Sequence, residues 1–389
     1  MKIKSIDIKG IGGIRDLHLD FDDRLNFICG PNGIGKTTIL ECIAHAFSSG
    51  RSNILKRNIF SEKGVLEVTA ISSSKTHKVN MTITNFNPEE FSFSGLAQYA
   101  INLLSIKIDR DFQYQAVQAV SRDPGKALHS FNREAVSGVQ VKEVKSWFLN
   151  RHLYSAHPNS LTSQQIHNIE LAKKCFSILR DDISFNRVLA DTNDIMISTP
   201  NGEIYYEYLS SGFKSCISIL FSIIKDIEFR FKDPSINAED FDGIILIDEL
   251  ELHLHPEWQA KISRALVEIF PKAQFITTTH SPHIIQNAKF NEIIALEFRG
   301  SDVGRRQIHS GQYGFQGWTV EEILMDVMGM PDTRTAVYHQ AIAEFEKAIE
   351  QENYVLAKQS YEKLNQLLHP NNHLRKLLKF DLASIREAS

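Results

Sequence analysis

The chain has 389 residues, enough for one large domain or two ordinary ones, and 42% of them are hydrophobic while 23% are charged. This composition excludes a disordered or fibrous protein, and a formal net charge of -4 excludes a global attraction to nucleic acid. Four widely spaced cysteines without a CxxC pair argue against a disulfide framework and a zinc site. Charges interrupt the apolar N-terminus, and the longest apolar stretch, at 216–224, is too short to cross a bilayer, so we expect a cytoplasmic protein without a membrane partner.

The first part of the chain alternates between strand and helix patterns. Apolar residues at period two predict strands within the first 30 residues, and "LNFICG" predicts a short buried strand. Helical spacing from Thr37 to about Ser48 predicts a helix. Alternation returns over 65–85, which predicts an antiparallel sheet edge.

The remainder divides into a helical stretch, a second alternating stretch and a helical end. Residues 90–195 are mixed and mostly helical, without heptads. From 203 the order is a strand, the turn "LSSGFKS", a long helix, strand "GIILID", a helix over 256–270, and strands "QFITTT" and "EIIALEF". This order predicts a mainly parallel, helix-covered sheet. After 318 only helices are expected, beginning with a capping box at Thr319 and Glu322, with a helical hairpin over 335–368.

The stretch "GPNGIGKTT" at 30–38 satisfies the pattern GxxxxGK[ST] between a short strand and a helix, which indicates a phosphate-binding P-loop rather than a chance glycine-rich turn. Its glycines let successive N–H groups point at phosphate oxygens, and the helix N-terminus adds positive charge. The predicted nucleotide-binding residues are Gly30, Pro31, Asn32, Gly33, Ile34, Gly35, Lys36, Thr37 and Thr38. Lys36 is expected at the β and γ phosphates, and the Thr37 hydroxyl is expected to join the shell of a Mg²⁺ ion. The loop alone does not separate ATP from GTP.

Two consecutive carboxylates end the strand "GIILID". Asp248 is placed to support Mg²⁺, and Glu249 is placed to deprotonate an attacking water. The alternative is an acidic pair that caps the following helix. His253 and His255 have HxH spacing but no third ligand nearby, which favours a structural or interface role over a metal site.

Two further strand or helix ends carry candidate phosphate contacts. His280, in "TTTHSPHII", ends the next strand and is placed to sense a γ-phosphate by hydrogen bonding. Ser210, Ser211 and Gly212 of "LSSGFKS" form a second anion-binding turn at the start of a helix. The alternative for that turn is a plain serine N-cap.

These motifs, in this order, resemble the ABC-type ATPase heads of the SMC, RecF and OLD proteins, in which LSGGQ takes the place of "LSSGF". The resemblance covers 1–100 and 200–298. It implies an α/β P-loop head with a mixed central sheet, an inserted mostly helical lobe and C-terminal helices. It also implies ATP and Mg²⁺ as cofactors and a head-to-tail dimer around ATP, or a higher oligomer. A glutamine that senses Mg²⁺ is expected at Gln113 or Gln115, with Arg110 as a further candidate beside the phosphates.

The implied domains are 1–90 and 201–317 for the two parts of the head, 91–200 for the inserted lobe, and 318–389 for a helical region that docks a partner. No nuclease signature follows "THSPHII". The tail "GWTVEEILMDVMGM" and "IDELELHLHP" resemble the stand-alone ATPases of bacterial antiphage systems, such as those of Septu and the retrons. This closer likeness implies a separate nuclease subunit, with the HNH type favoured, and DNA or RNA reached through the complex.

Two other functions compete with the defence ATPase. A DNA-repair clamp of the SMC or RecF type is suggested by two local basic clusters, Arg51, Lys56 and Arg57, and Lys142, Lys145 and Arg151. The alternative for these clusters is an ordinary solvated face. A transporter ATPase is disfavoured by the long middle region and the "THSPH" ending.

Overall fold

In the computed structural model, the residues described are 1–49, 51–87, 92–93, 95–110, 117, 119, 123, 125–139, 141 and 143–386. The strands within them are β1 (Lys2–Ile11), β2 (Ile14–Asp20), β3 (Leu25–Cys29), β4 (Arg51–Ser52), β5 (Gly64–Ser72), β6 (Lys75–Ile83), β7 (Ser92–Phe93), β8 (Leu103–Ile106), β9 (Ser184–Val188), β10 (Ile195–Thr199), β11 (Gly202–Tyr205), β12 (Ile244–Ile247), β13 (Gln274–Thr278), β14 (Ile293–Arg299) and β15 (Asp302–Arg305). The α-helices are α1 (Lys36–Phe47), α2 (Leu128–Ser137), α3 (Val144–Ser155), α4 (Ser163–Leu179), α5 (Ser211–Arg230), α6 (Pro256–Ile269), α7 (Pro282–Asn287), α8 (Val320–Glu322), α9 (Ala336–Glu350), α10 (Tyr354–Leu367) and α11 (Leu374–Arg386).

A six-stranded mixed sheet forms the centre, in the order β15-β14-β3-β13-β12-β8. The strands from β14 to β8 pair in parallel, and β15 pairs antiparallel with β14 at one edge. Every residue of β3, β8, β12 and β13 is buried, as expected of short apolar strands covered on both faces. The predicted mainly parallel, helix-covered sheet is therefore confirmed.

Alternate residues of the central strands feed two separate cores. Phe27 and Ile245 pack with the apolar faces of α4, α5 and α6 on one side of the sheet. Ile28 and Leu246 pack on the other side with α1 and with β1, β2 and β5. This alternation follows from the two-residue period of a strand. The site at the strand ends therefore rests on a sheet fixed from both faces.

Besides the antiparallel pair of β4 with β7, two smaller antiparallel sheets accompany the central sheet. One has the order β2-β1-β5-β6, and its β5–β6 hairpin confirms the predicted alternation over 65–85. The other has the order β11-β10-β9 and leads into α5. A capping box at Thr319 and Glu322 opens α8, as predicted, and the helix continues as a π-helical turn to Val327.

The chain divides into two compact units, Met1–Gly329 and Met330–Ser389. The second unit contains the predicted helical hairpin as α9 and α10, and its core also takes in α11, which the sequence analysis did not distinguish. Phe345 of α9 and Leu364 of α10 are buried in this core. The four-part division at 90, 200 and 317 stays a prediction. No helix in the described part of the chain has the length and apolar character needed to cross a membrane.

Candidate active site

The P-loop occupies the end of β3 and the beginning of α1, at the C-terminal edge of the parallel strands. Gly30, Gly33 and Gly35 have φ values of 144°, 74° and 100°, in the region that glycine adopts without strain. A Cβ on Gly30 would lie 2.7 Å from the carbonyl oxygen of Leu296, so a side chain is excluded there by space as well. The loop backbone thus has the curled conformation that a phosphate cradle requires.

Lys36, the first residue of α1, is buried beside this loop. Its Nζ donates hydrogen bonds to the carbonyl oxygens of Gly30 and Pro31, at 3.0 and 2.9 Å. Burial lowers the pKa of Lys36 from its ordinary value, and neighbouring carboxylates oppose that change only in part. A buried ammonium group whose hydrogen bonds go to neutral carbonyls is suited to accept an anionic ligand.

Thr37 and Asp248 meet although they are far apart in the chain. The Thr37 hydroxyl donates to Oδ1 of Asp248 at 3.2 Å, and the hydroxyl of Thr278 donates to the same oxygen at 2.6 Å. Parallel pairing of β12 with β13 brings Asp248 and Thr278 to the same edge of the sheet. The structure thus places a carboxylate and a hydroxyl together beside the P-loop, and hard cations such as Mg²⁺ prefer such oxygen ligands.

Glu249 begins the turn after β12 with a positive φ of 48°, which is uncommon for a residue other than glycine. Its backbone N–H donates to the hydroxyl of Thr278 at 2.7 Å. Arg110 lies buried behind the turn and donates from its guanidinium group to the carbonyl oxygens of Asp248 and Glu249. Burial lowers the pKa of Arg110 to about 10. Arg110, which was predicted to lie beside the phosphates, is therefore hydrogen-bonded to the backbone of both Asp248 and Glu249.

His280 follows β13 and is half-buried. Its backbone N–H donates to the carboxylate of Glu251, and the Thr279 hydroxyl donates to the same carboxylate at 2.7 Å. Burial and the positive charge of Lys36 lower the pKa of His280, so its imidazole is neutral at pH 7. A neutral imidazole retains one N–H donor for an anionic ligand.

The serine-glycine corner, residues 210–212, lies at the N-terminus of α5. Ser210 is the N-cap residue, and its hydroxyl accepts a hydrogen bond from the N–H of Phe213 at 3.4 Å. The N-cap alternative is thus present in the structure, and it leaves Ser210 and Ser211 exposed. Gly212 is buried, and a Cβ added to it would lie 2.6 Å from Cδ1 of Trp258. Close packing therefore accounts for the glycine at this position.

Helix α6 lies against both this corner and the end of β13. Trp258 packs edge-on against Phe213, with ring centroids 5.1 Å apart. The next residue, Gln259, accepts a hydrogen bond from the Ser281 hydroxyl at 2.5 Å and donates to the carbonyl of Leu254 at 2.8 Å. His255 is the N-cap of this helix, which agrees with the structural role favoured for it.

Two other groups of predicted residues have different outcomes. Gln113, Gln115 and Lys142 lie outside the described residues. Lys145 is buried and pairs with Asp194 and Glu207 at 2.9 and 2.5 Å. Arg151 is buried and pairs with Glu228 and Asp123. For Lys145 and Arg151, the prediction of a DNA-binding surface and the alternative of a solvated face are therefore both wrong, because these cations neutralise carboxylates inside the protein.

Three side chains in the site were missed by the sequence analysis: Thr278, Glu251 and Gln259. Thr278 was visible only as one hydroxyl in the strand end "TTTH", and Glu251 as one acid in "DELEL". The role of each side chain is visible only from a hydrogen-bond partner about 20 to 30 positions away in the chain. Thr278 bonds to Asp248, Glu251 to Thr279 and Gln259 to Ser281.

Comparisons with known proteins identify the family of the chain. The family model described as "AAA domain, putative AbiEii toxin, Type IV TA system" matches residues 25–286. The Septu protein PtuA of Bacillus thuringiensis is 48% identical, and the match covers 98% of each chain. The chain belongs to the PtuA family of ABC-type P-loop ATPases.

Two more distant similarities extend this result. The Retron Ec83 probable ATPase of Escherichia coli is 27% identical over 50% of the chain, and that match spans only 34% of the retron protein. An SMC head, solved bound to the C-terminal winged-helix domain of ScpA, has a TM-score of 0.50 at 13% identity and covers 79% of the chain and 98% of that structure. At this identity the SMC head supports the fold alone, and it confirms the predicted ABC-type α/β head.

Proposed function

We propose that the chain binds ATP with Mg²⁺ and hydrolyses it to ADP and phosphate. The observation that carries this proposal is the 3.2 Å contact between the Thr37 hydroxyl and Asp248, which unites the P-loop with the acidic end of β12. The glycine conformations, the buried Lys36 and the oxygen ligands all fit a triphosphate and a divalent cation. Membership of the P-loop ATPase family supports the same activity.

In this mechanism the side chains have separate tasks. The loop N–H groups and Lys36 hold the phosphates, and Thr37 and Asp248 would hold Mg²⁺, which neutralises phosphate charge when bound. Glu249 accepts the proton of the attacking water, because its carboxylate follows Asp248 at the strand end. His280 donates a hydrogen bond to the γ-phosphate from its neutral imidazole.

Hydrolysis further requires a second copy of the chain, arranged head to tail. In this arrangement Ser210, Ser211 and Gly212 of one copy complete the phosphate site of the other. The exposure of both serines at the N-terminus of a 20-residue helix supports this role, since a helix N-terminus attracts anions.

Mixing two inactive variants tests the shared site. Lys36→Ala damages the P-loop, and Ser211→Arg places a bulky cation at the corner; each alone should lack ATPase activity. An equal mixture should recover about a quarter of the wild-type rate, because half of the dimers are mixed and each has one intact site. A mixture as inactive as its components would contradict the head-to-tail site, and a Lys36→Ala plus Ser211→Arg double variant is the control.

We also propose that the ATPase regulates a separate nuclease subunit in bacterial antiphage defence, with the HNH type favoured and DNA or RNA reached through that complex. The 48% identity to a Septu PtuA protein over 98% of the chain supports this proposal. The helical end of the chain is the proposed docking region, and Leu377 and Phe380 of α11 are 58% and 73% exposed there. Exposed apolar side chains of this kind suit a protein partner.

The partner proposal is tested by purification together with the product of the neighbouring gene. We expect a retained nuclease, and we expect Leu377→Asp with Phe380→Asp to release it while ATPase activity persists. A chain that purifies alone under all conditions would refute the partner proposal without affecting the ATPase proposal. A steep salt dependence of direct DNA binding would instead favour the DNA-repair clamp.

A further inference from the structure

Glu249, the proposed general base, has a backbone conformation that is uncommon for a residue with a side chain. Its φ of 48° lies in the left-handed region, and residues other than glycine keep such a conformation only where neighbouring groups hold it. Within the described part of the chain, the hydrogen bonds of Glu249 are made by its backbone groups. The direction of its carboxylate is therefore set by the turn that carries it.

Two neighbouring elements hold this turn. On the side of β13, the Glu249 N–H donates to the Thr278 hydroxyl at 2.7 Å, and the Leu250 N–H donates to the Thr278 carbonyl at 3.0 Å. Arg110 supplies the other contacts, because its Nη2 donates to the carbonyl oxygen of Asp248 and, at 3.2 Å, to that of Glu249. These two carbonyl groups belong to the peptide planes before and after the Cα of Glu249. A group that holds both planes restricts φ and ψ of this residue.

Arg110 is itself held in place. It comes shortly after β8, which pairs in parallel with β12, so the residues that follow the two strands meet at the same edge of the sheet. Its Nε donates to the carbonyl oxygen of Lys107 at 3.0 Å, and the residue is only 4% exposed. Because a guanidinium group is planar and rigid, a bond at Nε also orients Nη2. Arg110 is therefore a fixed support for the turn of Glu249.

We propose that Arg110 is a positioning residue for ATP hydrolysis, an inference that rests on the proposed ATPase function. By holding the carbonyl groups of Asp248 and Glu249, the guanidinium group keeps Glu249 in its left-handed conformation and its carboxylate directed at the attacking water. Arg110 accepts no proton in this role. Its removal slows the chemical step and leaves ATP binding unchanged.

A direct contact with the phosphates is the competing role for Arg110. Its Nη1 is buried and has no hydrogen-bond partner among the described residues, so one donor nitrogen remains available. The two roles have different kinetic consequences. A phosphate contact contributes to ATP affinity, whereas a positioning residue contributes to the rate only while the group that it positions is present.

Arg24 provides a matched control at the opposite end of β3 from the P-loop. Its Nη2 donates to the carbonyl oxygen of Val267 at 3.2 Å. Its Nε is buried without a hydrogen-bond partner in the described part of the chain, as Nη1 of Arg110 is. Arg24→Met therefore removes a guanidinium–carbonyl contact of the same kind, away from the turn of Glu249.

A double-mutant cycle with Glu249→Gln tests the positioning role, with single-turnover rates of ATP hydrolysis and calorimetric ATP affinities as readouts. Arg110→Met alone should slow hydrolysis by about 10- to 100-fold, the loss expected when a reacting group is misplaced by about 1 Å. In the Glu249→Gln background, Arg110→Met should change the residual rate and the ATP dissociation constant by less than about twofold, because no base remains to be directed. Arg24→Met should hydrolyse ATP at the wild-type rate.

Arg110→Lys covers the case in which Arg110→Met does not fold. It keeps the charge, but a compact ammonium group cannot reproduce the fixed donor geometry that reaches the carbonyls of Lys107, Asp248 and Glu249. The same pattern should therefore appear with a smaller loss of rate, about three- to tenfold.

An unchanged rate in Arg110→Met, or in Arg110→Lys if only that variant folds, would overturn the proposal, as would an equal loss in Arg24→Met. Weaker ATP binding or a further loss of rate in the Glu249→Gln background would also overturn it, since Arg110 would then act independently of Glu249. Failure of the proposed function looks different. If the wild type does not hydrolyse ATP, or if Glu249→Gln hydrolyses it at the wild-type rate, the proposed mechanism fails whatever Arg110 does.

Discussion

The nucleotide site and the helical region around α3 both contain a buried lysine, but the two lysines have opposite environments. Lys36 donates to neutral backbone carbonyls, and burial lowers its pKa. Burial acts in the same direction on Lys145, but its hydrogen bonds to Glu207 and Asp194 outweigh that effect and raise its pKa. A buried cation that is hydrogen-bonded to carboxylates stabilises the fold. A buried cation that is hydrogen-bonded only to neutral groups can bind an anionic ligand.

The largest effect that tests this comparison is expected at Lys36. Lys36→Ala should weaken ATP binding by at least about a hundredfold, because charge-assisted hydrogen bonds to phosphate contribute about 1.5–3 kcal/mol each. Its free energy of unfolding should stay unchanged or rise, since a costly buried charge is removed. Calorimetry and urea denaturation measure the two quantities. A variant that loses stability while retaining ATP affinity would reverse the roles of the two lysines.

The next effect concerns chemistry rather than binding. Glu249→Gln should slow ATP hydrolysis by about 10²–10⁴-fold, the usual contribution of a general base, and should retain ATP. An ATP-bound dimer should then accumulate and be visible by size-exclusion chromatography with light scattering. Glu251→Gln is a useful comparison, because it changes a nearby carboxylate that bonds Thr279 and His280. Normal hydrolysis by Glu249→Gln would show that another group accepts the proton.

A structural effect is expected at Lys145. Lys145→Met should lower the free energy of unfolding by about 3 kcal/mol, because Asp194 and Glu207 lose a shared partner in a mostly buried setting. Urea denaturation without ligand measures this loss, and ATP affinity per folded molecule should remain that of the wild type. A matched loss of ATP affinity would mean that the helical region contributes directly to the nucleotide site.

The smallest effect is on the pH dependence of the free energy of unfolding, to which the two lysines should contribute with opposite signs. The stabilisation by Lys145 is complete below the ordinary lysine pKa of about 10.4 and declines as pH rises through its higher folded-state pKa. The penalty from Lys36 is largest below its lowered folded-state pKa and disappears as pH rises toward about 10.4. Urea denaturation of each variant beside the wild type, from pH 7 to 11, measures both trends. If the difference in free energy of unfolding between wild type and variant changed with pH in the same direction for both lysines, the comparison would be contradicted.

Local patterns predicted much of the fold and the principal site residues. Strands β8 and β9 were missed, because they lie in the stretch 90–195 that was predicted to be mostly helical. Short apolar runs predicted the central strands β3, β12, β13 and β14, and helices were predicted at α1 and α6. Alternation predicted the β5–β6 hairpin, and the spacing of glycines with Lys36 and Thr37 predicted the P-loop. These features depend on residues adjacent in sequence, so a single chain is sufficient to reveal them.

Local sequence patterns did not predict the contacts between positions that are distant in the chain. Lys145 pairs with Asp194 and Glu207 across 49 and 62 positions, and no local pattern distinguishes such a lysine from one on a solvated face. The meeting of Thr278 with Asp248 likewise depends on the register of β12 against β13. The expected glutamine at 113 or 115 remains a prediction.

Helix α6 has one more consequence. Its consecutive residues Trp258 and Gln259 contact the serine-glycine corner and the strand end that carries His280, respectively. If α6 moves as a rigid body, a displacement of Gly212 is transmitted to Ser281. In the proposed head-to-tail dimer, a second copy that contacts the serine-glycine corner would therefore also affect the strand end that carries His280, and α6 would couple the two nucleotide sites.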